Sequence, residues 1–571
     1  VIDRCWSMGD NNPLLLIHDV GAGGLSNAVP EAVDHSKHGA RIDLRKIPNA
    51  EPGLSPMAIW CNEAQERYVL IVAEERMSEF AALCERERCL MADIGELTDD
   101  GRLLVIDSEF DESVVDMPME MLLGKAPQMT RDVVHLPELD APLDIDGIEL
   151  RVAIDRVLRF PAVADKSFLI HIGDRTVGGL SARDQLIGPW QVPVSDVAIT
   201  ASGFNSTTGE AMAMGERTPL ASLNAPASGR MAVGEAVCNI AAASIGKISD
   251  IRLSANWMAA AGHPGEDARL FDTVKAVGHE LCRDLGIAIP VGKDSLSMRA
   301  AWDDESGSHE VVAPVSLIVT AFAPVGDIRR QLTPQLRDID EPSRLLLLDL
   351  GDGANRLGGS CLAQVFTRHG GATPDLDHPS LLKNFFAAVQ RLNDEGLILA
   401  YHDRSDGGLL ATVCEMMFAG HLGAALNLPG SEQDRLRQLF SEELGAVLQI
   451  ADSKLTAVMA ILESHGVAWV DVGVVEADQQ LTIYADDEVV LRIDRIELHR
   501  TWSETSFRMQ ALRDNPETAR EEYDRLLDRE DPGLNAMLTF DPKDDIAAPF
   551  VGGSKPRVAV LREQGVNSQG D

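Results

Sequence analysis

The chain has 571 residues, a formal net charge of −39 and an isoelectric point near 4.6. Its length predicts roughly three or four domains, and its acidity argues against a nucleic-acid backbone as a partner. No apolar run approaches the roughly twenty residues of a membrane span. Eight scattered cysteines without a C-x-x-C spacing indicate a reducing compartment and no disulfide framework. We therefore expect a multidomain cytoplasmic protein that binds neither nucleic acid nor membrane.

The first predicted unit occupies residues 1–123 and is of the α/β type. It begins in a helix at Val1, which suggests a fragment of a longer protein, and continues as a strand, a glycine turn and a helix. Strands follow around residues 67–73, and a helix covers 76–87. Residues 124–152 are predicted as a linker because prolines and acidic residues occur there without periodicity.

Two further units are predicted over residues 153–330 and 331–500. Residues 501–555 are rich in Arg, Asp, Glu and Pro and are predicted as a helical linker. An apolar strand is predicted to begin at Arg557, so residues 556–571 are predicted to open a further domain. The elements predicted in the second unit are helices over 232–245 and 272–284 and strands over 287–291 and 315–321, followed by a closing segment over 324–342.

One motif occurs twice along the chain. Residues 16–28 read LIHDVGAGGLSNA and residues 399–412 read LAYHDRSDGGLLAT, so in each copy an apolar run ends in His-Asp and a glycine turn leads into an amphipathic stretch. Each copy is followed by matching segments, CNEAQERYVLIVA and ADIGEL after the first and FSEELGAVLQIA and VDVGVV after the second. The chain is therefore predicted to be internally duplicated.

The chemistry of this motif suits a magnesium phosphate. A strand that ends in a carboxylate and turns through glycines into a helix places free backbone N–H groups beside an acidic ligand. The alternative for a single copy is ordinary turn chemistry, since aspartate is common before glycine turns. The second copy favours the binding hypothesis.

Four oxygen-bearing side chains form a candidate magnesium site. Glu235 and Asn239 lie four residues apart on a predicted helix and share a face, Asp196 closes the strand-like QVPVSD, and Asp403 closes the second apolar run. Carboxylate and amide oxygens are the ligands that hard cations take. The alternative interpretation of the Glu235–Asn239 pair is a solvated helix face.

Three other candidates are weaker. Lys293 follows a glycine, but the spacing between Gly286 and Gly292 and the Asp that follows the lysine do not match a phosphate-binding loop. Lys293 remains either a phosphate contact or a surface lysine. Cys361 lacks the second glycine of a nucleophile elbow and is predicted to be packed, while His35 and His38 are predicted as surface histidines.

Several long blocks together resemble the large, single-chain phosphoribosylformylglycinamidine synthases of purine biosynthesis. In chain order they are HDVGAGGLSNA, NEAQER, GDRTVGGL, RDQLIGPWQVPVSD, AMAMGERTPLA, ASGRMAVGEAVCNIAAA, VGKDSLSM, HDRSDGGLLAT and RVAVLREQGVN. The resemblance implies a ligase that converts formylglycinamide ribonucleotide (FGAR), ATP and glutamine to the amidine, with Mg²⁺ as cofactor. Partners would be these substrates, and the full-length form would be a monomer.

The resemblance also implies an architecture and a set of site residues. The fold would be two fused units of the aminoimidazole-ribonucleotide-synthetase type, with residues 1–123 as the second half of the first unit, 153–330 and 331–500 as the two halves of the second, and 556–571 as the first strand of a class I glutamine amidotransferase domain. By the same resemblance, Mg²⁺ of an auxiliary nucleotide site would be held by Asp196, Glu235, Asn239 and Asp403, with Ser195 and Ser405 beside the ATP or ADP. Asp19 would line the working site.

The resemblance leaves two rival interpretations of this chain. The glutaminase triad and the first half of the first unit are absent from the sequence, so the chain could be a non-catalytic, ADP-binding half of the synthase. It could also be another ATP-using member of the same superfamily, such as a selenophosphate or thiamin-phosphate enzyme. Those proteins have one unit per chain, and the duplication argues against them.

Overall fold

The computed structural model describes residues 1–51, 53–125, 130–136, 141–173, 175–176, 178–554, 557 and 559. The chain forms two compact units, Val1–Asp132 and Val133–Asp571. No helix within the described ranges is both long and apolar enough to cross a membrane.

The first unit is a small α/β body with two sheets. Strands β2, β4, β5 and β6 form one sheet in the order β4-β2-β5-β6, and β1 pairs with β3 antiparallel. Helix α2 packs its apolar face on β1 and contributes Leu25, Val29 and Val33 to the core. The elements are α1 (Ile2–Trp6), β1 (Leu14–Asp19), α2 (Leu25–Ser36), β2 (Gly39–Asp43), α3 (Pro56–Cys61), β3 (Tyr68–Val72), α4 (Met77–Arg86), β4 (Gly95–Thr98), β5 (Arg102–Asp107), β6 (Glu112–Pro118) and α5 (Met119–Leu123).

The first part of the second unit is a six-stranded sheet in the order β11-β10-β14-β9-β8-β7, with β12 and β13 as a separate hairpin. Its elements are α6 (Leu150–Arg159), α7 (Ser167–Ile170), β7 (Ser181–Arg183), β8 (Ala198–Ala201), β9 (Gly209–Glu216), α8 (Ala225–Ile240), β10 (Arg252–Met258), α9 (Glu266–Val274), a π-helical segment (Lys275–Leu281), α10 (Cys282–Leu285), β11 (Ala288–Ser295), β12 (Arg299–Asp304), β13 (Gly307–Val312) and β14 (Ser316–Val325).

The second part of this unit is a seven-stranded sheet in the order β16-β18-β15-β19-β17-β20-β21. Its elements are β15 (Ser343–Asp349), α11 (Cys361–Val365), α12 (Pro379–Asp394), β16 (Ala400–Asp403), α13 (Gly408–Gly420), β17 (Gly423–Asn427), α14 (Glu432–Phe440), β18 (Gly445–Ala451), α15 (Leu455–His465), β19 (Trp469–Glu476), β20 (Gln480–Ala485), β21 (Glu488–Asp494), α16 (Arg495–Arg513) and α17 (Pro516–Arg525).

Helix α8 is buried between the two sheets of the second unit. Small residues dominate its sequence, which lets it lie close to β9 and β14 on one side and to β16 on the other. The Tyr401 hydroxyl on β16 donates to the carbonyl of Cys238 on α8 at 2.6 Å. This packing fixes the helix beside the end of β16.

The duplication predicted from sequence is present in the fold. The order β4-β2-β5-β6 of the first unit recurs as β19-β17-β20-β21 in the second, with the same antiparallel, parallel and antiparallel pairings. The β1–β3 pair likewise recurs as β16–β18. In the second unit β15 lies between β18 and β19 and joins the two groups into one sheet.

Several predicted elements are confirmed and others need correction. The strand near 67–73 and the helix near 76–87 are present, but the helix predicted at 232–245 begins at Ala225 because the Asn224 side chain caps it, accepting from the Ala227 N–H. The helix predicted at 272–284 likewise begins earlier, at Glu266. The strand predicted for QVPVSD is wrong, since Pro193 cannot donate to a ladder and β8 starts only at Ala198.

The predicted linkers contain packed structure. Ile145 and Ile148 lie in the same core as α6, and the amide of Gly371 donates to the carbonyl of Ala141 at 2.7 Å. Helix α16 crosses the boundary predicted at residue 500 and buries Trp502 in that core. The division into six segments stays a prediction, and the strand predicted from Arg557 falls almost wholly outside the described residues.

Candidate functional site

The second copy of the repeated motif ends strand β16 at an edge of the seven-stranded sheet. The chain leaves the strand at Asp403, passes through Ser405, and turns through Gly407 and Gly408 into α13, both glycines with positive φ (82° and 65°). A Cβ on Gly408 would lie 2.6 Å from the Ser441 carbonyl oxygen. The turn therefore requires glycine for its conformation and for the close approach of the neighbouring chain.

Asp196 reaches this strand end from the segment that precedes β8. Its side chain is 1% exposed, and its Oδ1 accepts a hydrogen bond from His402 Nδ1 at 2.7 Å and from the Asp403 amide at 3.4 Å. Its Oδ2 is buried without a hydrogen-bond partner among the described residues. One carboxylate oxygen is thus free for a ligand.

His402 bridges two carboxylates. Its Nδ1 donates to Asp196, and its Nε2 donates to Glu415 Oε2 on α13 at 2.7 Å. Burial lowers the pKa of His402, but the two carboxylates and their hydrogen bonds raise it well above its ordinary value. The ring is therefore a cation that holds Asp196 in place.

Asp403 is the second buried carboxylate with an unpartnered oxygen. Burial and the Asp196 charge raise its pKa to about 7, and its Oδ2 has no partner in the described part of the chain. The candidate ligand atoms of Asp196, His402 and Asp403 lie within 4.8 Å of one another. The fold thus brings together Asp196 and Asp403, which are far apart in sequence.

Helix α8 supplies Glu235 and Asn239 to the same region. The Glu235 carboxylate accepts from the Glu216 N–H at 2.9 Å, and Asn239 Nδ2 donates to the Met214 carbonyl at 3.0 Å. Burial, followed by the charges of Asp403 and Asp406, raises the pKa of Glu235 well above its ordinary value, although Arg217 acts in the opposite direction. Glu235 and Asp403 therefore lie close enough for their charges to interact.

Of the four predicted ligands, Asp196 and Asp403 come together, Glu235 interacts electrostatically with Asp403, and the Asn239 amide is bonded to the Met214 carbonyl. Three buried carboxylates repel one another when ionised, and two of their oxygens have no partner among the described residues. A divalent cation bound by oxygen ligands would reduce the repulsion between the carboxylates and would give the two unpartnered oxygens a partner.

The two predicted nucleotide-binding serines flank this cluster. Ser195 directly precedes Asp196, and its hydroxyl donates to the Val197 carbonyl at 2.8 Å. Ser405 is half-buried in the turn after Asp403, and its carbonyl accepts from the Gly408 N–H at 2.9 Å. Both serines therefore lie at the ends of the segments that carry the aspartates.

Sequence reasoning missed a second buried network next to the cluster. Arg217 is 3% exposed and donates to Asp406 Oδ1 at 2.5 Å and to the Glu442 carbonyl at 2.6 Å. Glu442 Oε1 accepts from the amides of Gly407 at 2.9 Å and Cys361 at 2.8 Å, and burial raises the pKa of Glu442 to about 7. This network fixes the glycine turn, and the matched NEAQER and SEEL segments are the signal from which Glu442 could have been found.

The first copy has the same local bonds in an open setting. His18 Nε2 lies 2.8 Å from Glu31 Oε2, and the matching distance from His402 to Glu415 is 2.7 Å. Glu63 Oε1 accepts from the Gly23 amide at 3.0 Å, and Glu442 accepts from the Gly407 amide at 2.9 Å. The side chain of Asp19, however, is 82% exposed.

Among the described residues, the group formed by Asp196, His402 and Asp403 includes none of the three weaker candidates. Lys293 lies exposed on β11, and Cys361 is buried at the start of α11 as predicted, with burial holding the pKa of its thiol well above the ordinary value. His35 and His38 are exposed, as predicted, and all eight cysteines are free.

Family models match most of the chain. The FGAR-AT PurM_N-like domain matches residues 165–324, and the C-terminal domain of AIR synthase related proteins matches residues 1–108 and 343–486. The predicted mixed α/β fold with duplicated units of the aminoimidazole-ribonucleotide-synthetase type is thereby confirmed, while the amidotransferase strand predicted at 556–571 lies almost wholly outside the described residues.

Solved structures share this fold. T. maritima PurL complexed with ATP is 17% identical with a TM-score of 0.52, and the match covers 83% of this chain and 66% of that one. T. maritima PurL complexed with FGAR is 17% identical with a TM-score of 0.52, and the match covers 83% of this chain and 64% of that one. PurLQS from Thermotoga maritima is 16% identical with a TM-score of 0.52, and the match covers 83% of this chain and 66% of that one. The chain thus spans just under two thirds of these relatives.

Proposed function

We propose that this chain, which belongs to the phosphoribosylformylglycinamidine synthase family, is part of an enzyme that converts FGAR to its amidine at the expense of ATP in purine biosynthesis. Support comes from the family models and from the fold shared with PurL structures that contain ATP, ADP and FGAR. The observation that carries the proposal is the buried cluster of Asp196, Asp403 and Glu235 beside the glycine turn of α13.

The cluster has the chemistry of a magnesium nucleotide site. Asp196, Glu235, Asn239 and Asp403 would hold Mg²⁺, which neutralises phosphate charge when bound. Ser195 and Ser405 would lie beside the nucleotide phosphates. The His402 imidazolium, bonded to Asp196 and Glu415, keeps the Asp196 carboxylate oriented toward the other ligands.

The remaining assignments follow from the family. Ammonia would come from glutamine through a glutaminase outside the described residues, and the name PurLQS of one related structure is consistent with a multicomponent assembly. We further propose a cytoplasmic enzyme, monomeric in its full-length form. Asp19, in the exposed first copy of the motif, would line the working site.

A second candidate function is a structural, non-catalytic half that binds ADP and Mg²⁺ permanently. The enclosure of the second copy favours it, because Asp196 and Asp403 have side chains that are 1% and 7% exposed. A nucleotide held among such groups would exchange slowly. In this form of the proposal the second unit supports the fold while turnover occurs elsewhere.

An activity assay on paired variants separates the two functions. FGAR-dependent and ammonia-dependent release of ADP is measured for the chain and for Asp19→Asn and Asp403→Asn. If the chain is catalytic, wild type releases ADP and Asp19→Asn abolishes that release, because Asp19 would line the working site. If the chain is a non-catalytic half, wild type releases no ADP but holds bound nucleotide, and Asp403→Asn loses that nucleotide. Turnover and bound nucleotide that are unaffected in both variants would overturn the proposal.

A further inference from the structure

A cavity of about 270 Å³ lies in the second unit between α16, α17 and the segment that carries Trp190. Its wall includes Trp190, His421, Arg495, His499 and Tyr523, and none of the proposed magnesium ligands takes part in it. The segment after α17 covers the cavity. There the Trp190 indole donates to the Asp531 carbonyl, and the Leu534 amide donates to the Pro189 carbonyl, both at 2.8 Å.

The most unusual group in the wall is a buried guanidinium. Arg495 is 1% exposed, and its Nε and Nη2 both donate to one neutral acceptor, Gln479 Oε1, at 3.1 and 3.0 Å. Within the described ranges it forms no ion pair with a carboxylate. Burial, followed by the nearby charge of Arg529, lowers the pKa of Arg495 to about 10, although the charge of Asp494 acts in the opposite direction. A buried cation without a direct ion pair has an electrostatic requirement that is only partly met.

Two neutral histidines lie next to this cation. His499 is 5% exposed, its ring stacks on Phe418 at 4.4 Å, and its Nδ1 has no hydrogen-bond partner in the part of the chain that the structure describes. The ring of His421 stacks on Trp190 at 3.6 Å. Burial, followed by the Arg495 charge, lowers the pKa of both histidines, that of His421 to about 3.

The carboxylates of the same wall are already engaged and do not compensate Arg495. Asp165 accepts hydrogen bonds from Ser167, and Asp528 accepts one from the Glu530 amide. Glu522 is paired with His171 and accepts a hydrogen bond from Gln510, and Asp531 forms an ion pair with Arg525. Among the described residues, the Arg495 guanidinium is therefore left without a direct ion pair, and an anion bound in the cavity would supply one.

We propose that this cavity binds a small oxyanion, a carboxylate or a phosphate, through Arg495 and His499. The planar fork of an arginine matches two oxygens of either group. The neutral His499 ring carries one N–H and donates it to the same anion when the tautomer places the proton on Nδ1. The aromatic rings of Trp190 and Tyr523 would cover the apolar part of an organic carboxylate. The site is independent of the proposed synthase activity.

Titration calorimetry on the whole chain tests this proposal with two probes, inorganic phosphate and malonate, in magnesium-free buffer with chloride as the comparison salt. We expect saturable binding of one probe, weakened about tenfold or more in Arg495→Gln and in His499→Phe, which keeps the stacked ring. Arg492→Gln is the matched control, because Arg492 is an exposed arginine paired with Asp478. Binding of phosphate alone or of malonate alone identifies the class of the natural ligand.

Two results would overturn the proposal. One is the absence of saturable binding of either probe to the folded chain. The other is binding that is equally strong in wild type, Arg495→Gln and His499→Phe, which would place the anion elsewhere. Circular dichroism of each variant verifies folding. If Arg495→Gln does not fold, the milder His499→Phe alone decides between the two outcomes.

Discussion

The two copies of the His-Asp-glycine motif have the same internal bonds and opposite environments. In each copy a histidine bonds a glutamate on the following helix and a glycine amide bonds a second glutamate. Yet the side chain of Asp19 is 82% exposed and that of Asp403 is 7% exposed. In the second copy, Asp196, Arg217 and α8 enclose the strand end and its turn. The motif therefore specifies a turn, and neighbouring elements decide whether that turn becomes an enclosed site.

Substitution of the second glycine in the turn should destabilise both copies alike, and it should have the largest effect on stability of the changes considered. An alanine Cβ at Gly408 would lie 2.6 Å from the Ser441 carbonyl oxygen, and at Gly24 2.3 Å from that of Asn62, with φ near +65° at both. We expect each substitution to lower the free energy of unfolding by about 3 kcal/mol or more. Urea unfolding of Gly24→Ala and Gly408→Ala measures this loss.

Two other glycines control for the backbone strain alone. Gly396 and Gly101 have φ of +64°, and a Cβ on either would meet nothing within 4 Å. Gly396→Ala and Gly101→Ala should therefore cost only about 1 kcal/mol. Equal losses at the crowded and the open positions would show that close approach of the chain plays no part in the turn.

The glutamate behind the turn should distinguish the copies. Glu442 is buried, accepts two backbone amides and lies 3.8 Å from Arg217, whereas Glu63 is exposed and accepts one amide. Glu442→Gln leaves the Arg217 charge with less compensation, and we expect a loss of about 2 kcal/mol at pH 8. Glu63→Gln should change the unfolding midpoint little. A comparable loss in both variants would contradict the importance of burial.

The pH dependence of stability should be the smallest of these differences. The folded-state pKa of His402 lies well above 6.5, so its stabilisation is fully present below 6.5 and is lost as pH rises through the folded value. Asp403, with a pKa raised from 3.8 to about 7, acts in the same direction, because folding favours its protonated form. The free energy of unfolding should therefore fall as pH rises from about 4 to about 7 through Asp403, and should fall further above pH 6.5 through His402.

Histidine variants of the two copies test the source of that slope. His402→Gln should flatten the decline in stability with pH, whereas His18→Gln, which changes a more exposed ring bonded to Glu31, should leave it as in wild type. Urea midpoints measured across the pH range provide the comparison. A slope that survives in His402→Gln would assign the effect to other groups.

The sequence predicted the repeated elements well because their signals are local. An apolar run ending in His-Asp, a glycine pair and an amphipathic stretch define β16, its turn and α13, and the same pattern defines β1 and α2. Four dispersed ligands were placed in one site by the family resemblance, and the structure brings Asp196 and Asp403 together.

The remaining features depend on contacts between distant segments. Nothing local shows that His402 spans Asp196 and Glu415, or that Arg217 enters the turn from the end of β9. The π-helical segment at 275–281 and the insertion of β15 between β18 and β19 are likewise products of packing. Helix α16 looked like a linker because its polar residues dominate, although Trp502 docks it on the core.

The most direct test of the account is the content of the purified chain. The protein is denatured, and released adenine nucleotide and magnesium are quantified for wild type, Asp196→Ala, Glu235→Ala and Asp19→Ala. The account predicts that wild type releases nucleotide and magnesium in equal amounts. Asp196→Ala and Glu235→Ala should lose both, and Asp19→Ala should retain both. A well-folded wild-type chain without nucleotide, or one whose nucleotide persists in Asp196→Ala and Glu235→Ala, would contradict the assignment of the second copy as the enclosed magnesium nucleotide site.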